Sequence, residues 1–194
     1  VTMSVDLEHI PAKHRGLIKA FLDEADMSAD AIKTVDFPPA YGADIVVSCE
    51  KEKDPKNGSI YLKPTQFVLG IGCRRDTAFE NIDRAIRQSL LKLQIDISDI
   101  DMIASIDVKK DEPGIKEFCE RNRIDFVTYT ADELMAVQGE FSASQFVSEH
   151  VGVDNVCERA AVLACSRECN KAGKLVYKKH KYDSVTVAAA RYPD

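Results

Sequence analysis

Two glycines, one cysteine and two arginines stand close together in the stretch Phe67–Thr77 and could together bind an anion. An apolar run precedes them and predicts a strand, while Thr77 and Glu80 have the spacing of a capping box, which predicts a helix start. Gly70–Asp76 is then expected to form a loop whose amide groups face a ligand, with the helix dipole favouring negative charge. Glycine-rich turns between a strand and a helix are common, so a tight turn without a ligand fits the pattern equally well.

A second charged segment, Asp107–Gly114, follows the next predicted strand in the same way. Alone it fits a solvated turn, but beside Arg74 and Arg75 it predicts a basic rim. Arginine binds carboxylates with two parallel hydrogen bonds, and lysine binds them as a point charge. In this segment Glu112 could orient Lys109 or relay a proton, although acids are also favoured at helix starts for structural reasons.

Two further residues, Cys73 and Glu158, each allow a chemical and a structural interpretation. Cys73 precedes a helix, where a thiolate would be stabilised, but no histidine is close in sequence, so packing is favoured over a nucleophilic role. Glu158 is the third residue after Asn155, so a capping box explains it as well as a catalytic role does. Three cysteines share a predicted helix and favour buried packing over a zinc site: Cys157, Cys165 and Cys169.

The composition is that of an ordinary globular protein, with 194 residues, 45% hydrophobic and 30% charged. The net charge of −6 argues against a general nucleic-acid binder, because phosphate binding needs a basic face. No apolar run has the length of a membrane span, so no membrane partner is expected. Six cysteines without a signal peptide predict a reduced, cytoplasmic protein. The opening Val-Thr-Met suggests a piece of a longer polypeptide.

Strands and helices alternate from Thr65 onward, which predicts an α/β fold with three layers, α/β/α. The sheet is expected to be mixed and mostly parallel, with an antiparallel hairpin at the end of the chain, turning at 180–183. Ligands of such sheets bind beyond the carboxyl ends of the strands. Strands are predicted at 66–71, 102–106, 126–129, 174–178 and 184–190. Helices are predicted at 77–93 and 115–122, and from Asn155 through Cys169. A further short helix is predicted to follow the capping box of Thr130 and Glu133.

Residues 1–64 have a different pattern and no chemical motif. An amphipathic helix is predicted around Leu17–Ala25, and Ser28 could cap a short second helix. A strand at 45–49 is expected to pair with 59–62 as a hairpin. This part is interpreted as a connecting region or the tail of a preceding domain, and residues 65–194 as one domain.

Four separated motifs, in this order, resemble the C-terminal domain of the CbiG family of cobalamin biosynthesis, which also occurs alone as CobE. They are Gly-Ile-Gly-Cys-Arg-Arg at 70–75, Ala-Ser-Ile-Asp-Val-Lys-Lys-Asp-Glu-Pro-Gly at 104–114, Gly-Val-Asp-Asn-Val-Cys-Glu-Arg-Ala-Ala at 152–161 and Val-Thr-Val-Ala-Ala-Ala at 185–190, with Ser144 between the second and third. The resemblance covers about residues 65–194. It implies that the family's N-terminal domain is missing from this chain and is one of its partners.

The resemblance implies a cobalt-precorrin-5A hydrolase, which opens the ring-A lactone of a tetrapyrrole with water and releases acetaldehyde. The macrocycle carries acetate and propionate groups, so the implied substrate-binding residues are Gly70, Gly72, Cys73, Arg74, Arg75, Ser105, Lys109 and Ser144. Glu112 or Glu158 would activate the water, and amides of the glycine stretch would stabilise the oxyanion. No cofactor or metal site is expected, since the substrate carries the cobalt. Whether the chain forms a homodimer is left open. The alternative is a non-catalytic corrinoid-binding or carrier module, as for standalone CobE.

One position departs from the family pattern. Asp76 follows the two arginines, where the family usually has glycine. A carboxylate there opposes an anionic ligand unless it caps the helix or holds Arg75.

Overall fold

The computed structural model describes residues 65–142, 153, 155–169 and 171–193, and, nearer the N-terminus, residues 3–5, 14, 18, 32–34, 45–47 and 60–62. The chain divides into two compact units, one of Val1–Gln66 with Asp194 and one of Phe67–Pro193.

The N-terminal unit contains a four-stranded parallel sheet with the strand order β2-β1-β3-β4. Its strands are β1 (Met3–Val5), β2 (Ile32–Thr34), β3 (Ile45–Val47) and β4 (Ile60–Leu62). The predicted hairpin is therefore wrong, because β3 and β4 pair in parallel, with Ile45 beside Ile60. Parallel pairing needs a crossover of a dozen or so residues, and residues 48–59 are long enough to supply it.

Other predictions for this unit lie mostly outside the described residues. Ile18 is helical, as expected within the predicted amphipathic helix, and His14 is helical as well. The strand at 32–34 was not predicted, and it limits any helix capped by Ser28 to the residues before it.

The C-terminal unit contains the remaining strands and the four helices for which the structure gives bounds. The strands are β5 (Phe67–Cys73), β6 (Ile100–Ile106), β7 (Asp125–Tyr129), β8 (Lys174–Tyr182) and β9 (Val185–Arg191). The helices are α1 (Phe79–Leu93), α2 (Pro113–Asn122), α3 (Ala131–Met135) and α4 (Val156–Cys169), with 3₁₀ turns at Ile97–Asp99 and Asp107–Lys109. Each predicted strand and helix of this unit is present, with shifted ends.

The five strands form one mixed sheet with the order β7-β6-β5-β9-β8. β5, β6 and β7 are parallel, while β9 is antiparallel to both of its neighbours. β8 therefore runs in the same direction as β5, and its carboxyl end lies at the same sheet edge. The predicted α/β class, with its antiparallel terminal hairpin, is confirmed.

Helices cover both faces of this sheet and give the three predicted layers. The α1–α2 face buries Ile82, Ile86, Ile115 and Phe118 against Leu69 and Ile71 of the central strand. The α4 face is lined by small residues, and Ala160, Ala161 and Ala164 pack on the sheet beside Leu134 of α3. Small side chains let α4 lie close to the strands, so its position is fixed by tight packing. None of the described helices is both long and apolar enough to cross a membrane.

The glycine stretch is a strand for most of its length, which corrects the predicted loop. β5 continues to Cys73, and Gly70 and Gly72 pair with Ala188 and Thr186 of β9. A Cβ atom at Gly70 would overlap the carbonyl oxygen of Cys157, so this glycine permits the close approach of α4. The terminal hairpin also differs from expectation, because β8 extends to Tyr182 and the turn falls at 183–184.

The helix starts show one wrong and one confirmed capping box. α1 begins at Phe79 and has no side-chain cap, because its N-cap is Ala78, whose side chain cannot accept a hydrogen bond. The predicted cap, Thr77, binds Glu112 and the Arg74 carbonyl instead. At α3 the Thr130 side chain accepts the amide hydrogen of Glu133, and the Glu133 carboxylate accepts that of Thr130.

Candidate functional site

The sheet edge that carries the candidate residues opens between β5 and β6. Their register ends at Gly70 beside Ala104, and beyond it the Ser105 hydroxyl donates to the Ile71 carbonyl over 2.7 Å. Ser105 is fully buried, so in this structure its hydroxyl links the two strand ends. Because the backbone pairing between β5 and β6 has already ended, the chain segments that follow the two strands can diverge beyond Ser105.

Glu112 connects these two segments. One carboxylate oxygen accepts the Thr77 amide hydrogen at 3.0 Å, and the other accepts the Lys109 ammonium at 2.8 Å. The Thr77 hydroxyl in turn donates to the Arg74 carbonyl at 2.7 Å. The side chain of Glu112 is 4% exposed and that of Lys109 is 13% exposed, so water screens this ion pair little. Residues from both strand ends are thus locked together by one buried carboxylate.

Cys73 lies in this cluster as a protonated thiol. Burial raises its pKa to about 11, although the positive charge of Lys109 and the hydrogen bonds with Thr77 and Lys109 act in the opposite direction. A thiol with this pKa carries almost no thiolate at neutral pH, and the thiolate is the nucleophilic form. The environment therefore favours packing and hydrogen bonding by Cys73.

The two arginines directly follow Cys73 of the cluster in the chain, and they are exposed. Arg74, Arg75 and Asp76 are all exposed, and Asp76 has a φ of 57°, in the left-handed region. The Arg74 amide donates to the Ser184 carbonyl at 3.1 Å, so in this structure it is engaged by the terminal hairpin. With Gly70 and Gly72 inside the sheet, the amides expected to stabilise an oxyanion lie in a strand that is paired with β9.

Glu158 lies on the α4 face of the same sheet and is fully buried. Its carboxylate accepts hydrogen bonds from the amide and hydroxyl of Ser142, each at 2.9 Å, and from the Lys179 amide at 2.6 Å. Burial acts to raise the pKa of Glu158, but the hydrogen bonds from Lys179 and Ser142 outweigh it and hold the pKa below 4.5. Glu158 is therefore ionised at neutral pH and fully supplied with donors.

Asn155 completes the start of α4. Its side-chain oxygen accepts the Glu158 amide hydrogen at 3.1 Å, and its amide group donates to the Ser142 carbonyl at 2.7 Å. Asn155 is thus the N-cap, as the sequence predicted. The Glu158 carboxylate, however, joins Ser142 and β8, which no local capping pattern indicates.

Arg159 fixes the segment that leads to Ser142. One guanidinium nitrogen donates to the carbonyls of Leu134 and Val137, at 3.3 and 3.0 Å, and the guanidinium stacks 4.5 Å above the Phe141 ring. Sequence reasoning missed this role, and the available signal was an arginine that directly precedes the small apolar run 160–165.

The structure thus places the predicted site residues in two groups. Cys73, Lys109 and Glu112 come together at the end of β5, next in the chain to the exposed Arg74 and Arg75, whereas Glu158 lies on the other face of the sheet. Ser144 lies outside the described residues. Cys157 and Cys165 are buried, as expected, while the Cys169 side chain also lies outside them. In the part of the chain that the structure describes, no three histidine, cysteine or acidic side chains converge to hold a metal ion.

The family model for the cobalamin synthesis G C-terminus matches residues 67–190 of this chain. The chain belongs to this cobalamin synthesis G family. The matched residues contain both the Lys109–Glu112 cluster and the Glu158 cluster. Both groups are therefore parts of the family domain.

Curated relatives support the same family. A probable cobalt-precorrin-5A hydrolase of Methanocaldococcus jannaschii is 32% identical over 137 residues, which are 68% of this chain and 42% of that protein. The cobalt-precorrin-5A hydrolase of Priestia megaterium is 31% identical over 144 residues, 74% of this chain and 37% of that protein. The chain thus spans less than half the length of these cobalamin synthesis G relatives.

Solved structures of the family share the fold. CobE, a protein from the cobalamin biosynthetic pathway, has a TM-score of 0.61 at 25% identity, covering 64% of this chain and 89% of CobE. A putative cobalamin biosynthesis protein G homolog from Sulfolobus solfataricus has a TM-score of 0.54 at 20% identity, covering 99% of this chain and 51% of that one. The Sulfolobus likeness is evidence for the fold alone.

Proposed function

We propose that this chain is the C-terminal part of a cobalt-precorrin-5A hydrolase of cobalamin biosynthesis. It binds the corrinoid substrate at the carboxyl edge of the sheet and takes part in opening the ring-A lactone, with release of acetaldehyde. The observation that carries the proposal is the buried Glu112–Lys109 pair, which Thr77 connects to the backbone of the segment that carries the exposed Arg74 and Arg75. The names of the curated relatives support the choice of reaction.

The basic rim suits a macrocycle that carries many carboxylates. Arg74 and Arg75 can each bind a carboxylate with two hydrogen bonds, and Lys109 adds a third positive charge a short distance below. A chain with a net charge of −6 would otherwise repel such a substrate, so recognition depends on this local patch. In this proposal Ser144 also contacts the substrate, and the cobalt ion arrives with the substrate.

Lactone opening needs positive charge at the carbonyl oxygen and a base for water. Water attacks the lactone carbonyl carbon, the bond to the ring oxygen breaks, and a carboxylate and an alcohol result. The alcohol then loses its proton and its carbon–carbon bond to the macrocycle breaks, so that acetaldehyde leaves and the macrocycle carbon keeps the electron pair and takes up a proton. The Lys109 ammonium is the group that we propose for the developing oxyanion, because Glu112 binds it at 2.8 Å before the substrate arrives. Once Lys109 turns to the substrate, the freed Glu112 oxygen can accept a proton from water.

Glu158 is the second candidate for the base. Its pKa is lowered by hydrogen bonds, and a carboxylate with a lowered pKa accepts protons less readily. Its three donors also come from Ser142 and Lys179, which are parts of the framework. We therefore propose Glu112 as the base and Glu158 as a residue that positions its surroundings.

Acetaldehyde production tests this proposal. The chain is incubated with cobalt-precorrin-5A, and acetaldehyde is measured by coupling to alcohol dehydrogenase and NADH. We expect production by the wild-type chain and its loss in Glu112→Gln. The variant Lys174→Ala, at the far end of β8, is the control and should keep full activity. Production by Glu112→Gln at the wild-type rate would contradict the role of Glu112.

A non-catalytic corrinoid-binding or carrier module is the second candidate function. The specific observation that favours it is the similarity to a CobE protein from a Sinorhizobium species, 28% identical over 103 residues, which are 67% of that protein. In this case the wild-type chain would bind cobalt-precorrin-5A without releasing acetaldehyde. Catalysis would then depend on the N-terminal domain of the family, which we propose as a partner.

We also propose that the chain is organised in two parts. Residues 1–64 are a connecting region or the tail of a preceding domain, and residues 65–194 are the substrate-binding domain. The protein works in the cytoplasm and needs no cofactor of its own.

A further inference from the structure

The last hairpin brings a second group of positive charges to the same sheet edge. β8 ends at Tyr182, which pairs with Val185, and Val185 pairs in turn with Cys73 at the end of β5. Lys178, Lys179 and Lys181 lie in this last part of β8. One strand separates β8 from β5, so the two strands are roughly 10 Å apart.

A bulge interrupts β8 at Lys178 and Lys179. Tyr177 pairs with Ala189 and His180 pairs with Val187, so two residues of β8 stand opposite the single residue Ala188. A bulge re-aims side chains and is frequent beside functional sites. Here it also turns the Lys179 amide away from the ladder and toward the Glu158 carboxylate, 2.6 Å away.

The Lys179 side chain differs from its neighbours on the strand. Lys178 and Lys181 are exposed, whereas Lys179 is half-buried. The Lys179 amide bonds to Glu158 in the first turn of α4, and the positive charge of Lys179 acts to lower the pKa of the neighbouring Cys157 thiol, which burial raises to about 12. Among the described residues, no carboxylate forms an ion pair with this ammonium.

Protection of an edge strand is the ordinary explanation for lysines and bulges. That explanation accounts for exposed charges such as Lys178, but it requires neither a half-buried lysine nor a buried anchor for its amide. A fully buried carboxylate is stable only when donors satisfy it, and Glu158 obtains one of its three from this bulge. The bulge is therefore tied to the helix packed on the sheet.

We infer that Lys179 forms a second carboxylate-binding position for the substrate, on the α4 face of the sheet edge, and that Glu158 is the residue that positions it. This inference rests on the proposed function, because it assigns to Lys179 the carboxylates on the other side of the macrocycle that Arg74 and Arg75 bind. Arg74 and Arg75 bind one part of the rim of carboxylates. Lys179 binds another part, two strand spacings across the sheet and three residues before the end of β8, at the level of Gly70 in β5.

Titration with uroporphyrin III, a tetrapyrrole with eight carboxylates, tests the inference through porphyrin fluorescence. Lys179→Ala removes the ammonium and leaves the backbone bond to Glu158 intact. Lys174→Ala is the matched control, because it removes the same charge from the same strand at the opposite sheet edge. We expect the Kd to rise about fivefold in Lys179→Ala and less than about twofold in Lys174→Ala.

The pair Arg74→Ala/Arg75→Ala separates the two proposals. If this double variant weakens binding while Lys179→Ala binds like the Lys174→Ala control, the inference is overturned and the proposed function stands. If neither the arginine variant nor Lys179→Ala binds more weakly than wild type, both the inference and the proposed recognition of carboxylates at this sheet edge are overturned.

Glu158→Gln tests the positioning role with a readout that a purely structural residue would not change. We expect this substitution to weaken uroporphyrin binding in the wild-type background, and to have no effect on affinity in the Lys179→Ala background. Its effect on the free energy of unfolding should be the same in both backgrounds. Equal losses of affinity in the two backgrounds would show that Glu158 does not act through Lys179.

Discussion

The two faces of the sheet edge each contain one buried glutamate, and the partners of the two carboxylates differ. On the α1–α2 face, Glu112 binds one backbone amide and the ammonium of Lys109. On the α4 face, Glu158 binds two backbone amides and one hydroxyl, all of them neutral donors. Glu112 thus binds a mobile cation, whereas Glu158 binds only neutral groups of the protein framework.

This difference separates a residue that can exchange partners from one that cannot. A lysine side chain can move from Glu112 to a bound anion, since its ammonium is a point charge on a flexible stem. The donors of Glu158 are the Lys179 amide of β8 and the amide and hydroxyl of Ser142, whose carbonyl Asn155 holds, so the release of any one leaves a buried polar group unsatisfied. We therefore expect changes on the α4 face to reduce stability more, and changes on the α1–α2 face to reduce binding more.

The largest expected effect is that of Gly70→Ala, which pushes α4 away from the sheet. A Cβ atom at this position would overlap the Cys157 carbonyl, so the free energy of unfolding should fall by about 3 kcal/mol in urea denaturation. Gly72→Ala is the control, because its Cβ would meet only the Thr186 hydroxyl, at 2.7 Å, and a side chain can rotate. Equal losses in the two variants would show that α4 is not closely packed on β5.

Glu158→Gln should cost about 2 kcal/mol of unfolding free energy, because an amide cannot accept from all three donors. Because the pKa of Glu158 is lowered from 4.5 in the folded protein, its contribution is complete above about pH 4.5 and is lost as the pH falls through the folded value. Urea denaturation from pH 7 to pH 3 should therefore show a weaker acid dependence in the variant. An unchanged slope would contradict an ionised Glu158 in the folded state.

Glu112→Gln should cost less stability, about 1 kcal/mol, because the amide oxygen can still accept the Thr77 amide hydrogen. Its effect on ligand binding should be larger than that of Glu158→Gln, since Lys109 loses the partner that orients it. Urea denaturation and uroporphyrin titration of the two glutamine variants, measured side by side, provide the comparison. A greater loss of stability in Glu112→Gln would reverse the distinction between the two faces.

Asp76→Gly should have the smallest effect and the opposite sign. At a φ of 57° a non-glycine residue is strained, so glycine should raise the free energy of unfolding by roughly 0.5–1 kcal/mol and the melting temperature by about 2 °C. Gln94→Gly, at the same φ after α1, is the matched control far from the rim. Both variants should be stabilised, but only Asp76→Gly should bind uroporphyrin more tightly. Equal affinities would show that the Asp76 charge does not reach the ligand.

The sequence predicted the elements well where periodicity decides them and poorly where distant residues do. Apolar alternation placed β5, α1 and β6 within a few residues. The glycine spacing predicts a loop at Gly70 and Gly72, which is wrong, because the requirement for glycine there arises from α4 and β9, which pack on them from far along the chain. Local spacing could not reveal either contact.

The contact between Lys109 and Glu112 was predictable from the sequence, whereas the long-range contacts around it were not. The motif around Lys109 and Glu112 indicated an orienting pair, and the structure has that pair. Local spacing also suggested that Thr77 would cap α1, whereas Glu112, 35 residues away, holds the Thr77 amide. Glu158 was interpreted as a helix cap or a base, and its partners at Ser142 and Lys179 follow only from the tertiary structure.

The most direct test of the central claim is an absorbance titration with cobalt-precorrin-5A. The wild-type chain is compared with the variant Arg74→Ala/Arg75→Ala, whose folding is checked by urea denaturation. We predict a Kd at least about tenfold higher for the variant, with unchanged unfolding free energy, because two exposed arginine contacts to carboxylates are lost. Equal affinity of the two proteins for cobalt-precorrin-5A would contradict substrate binding at this edge of the sheet.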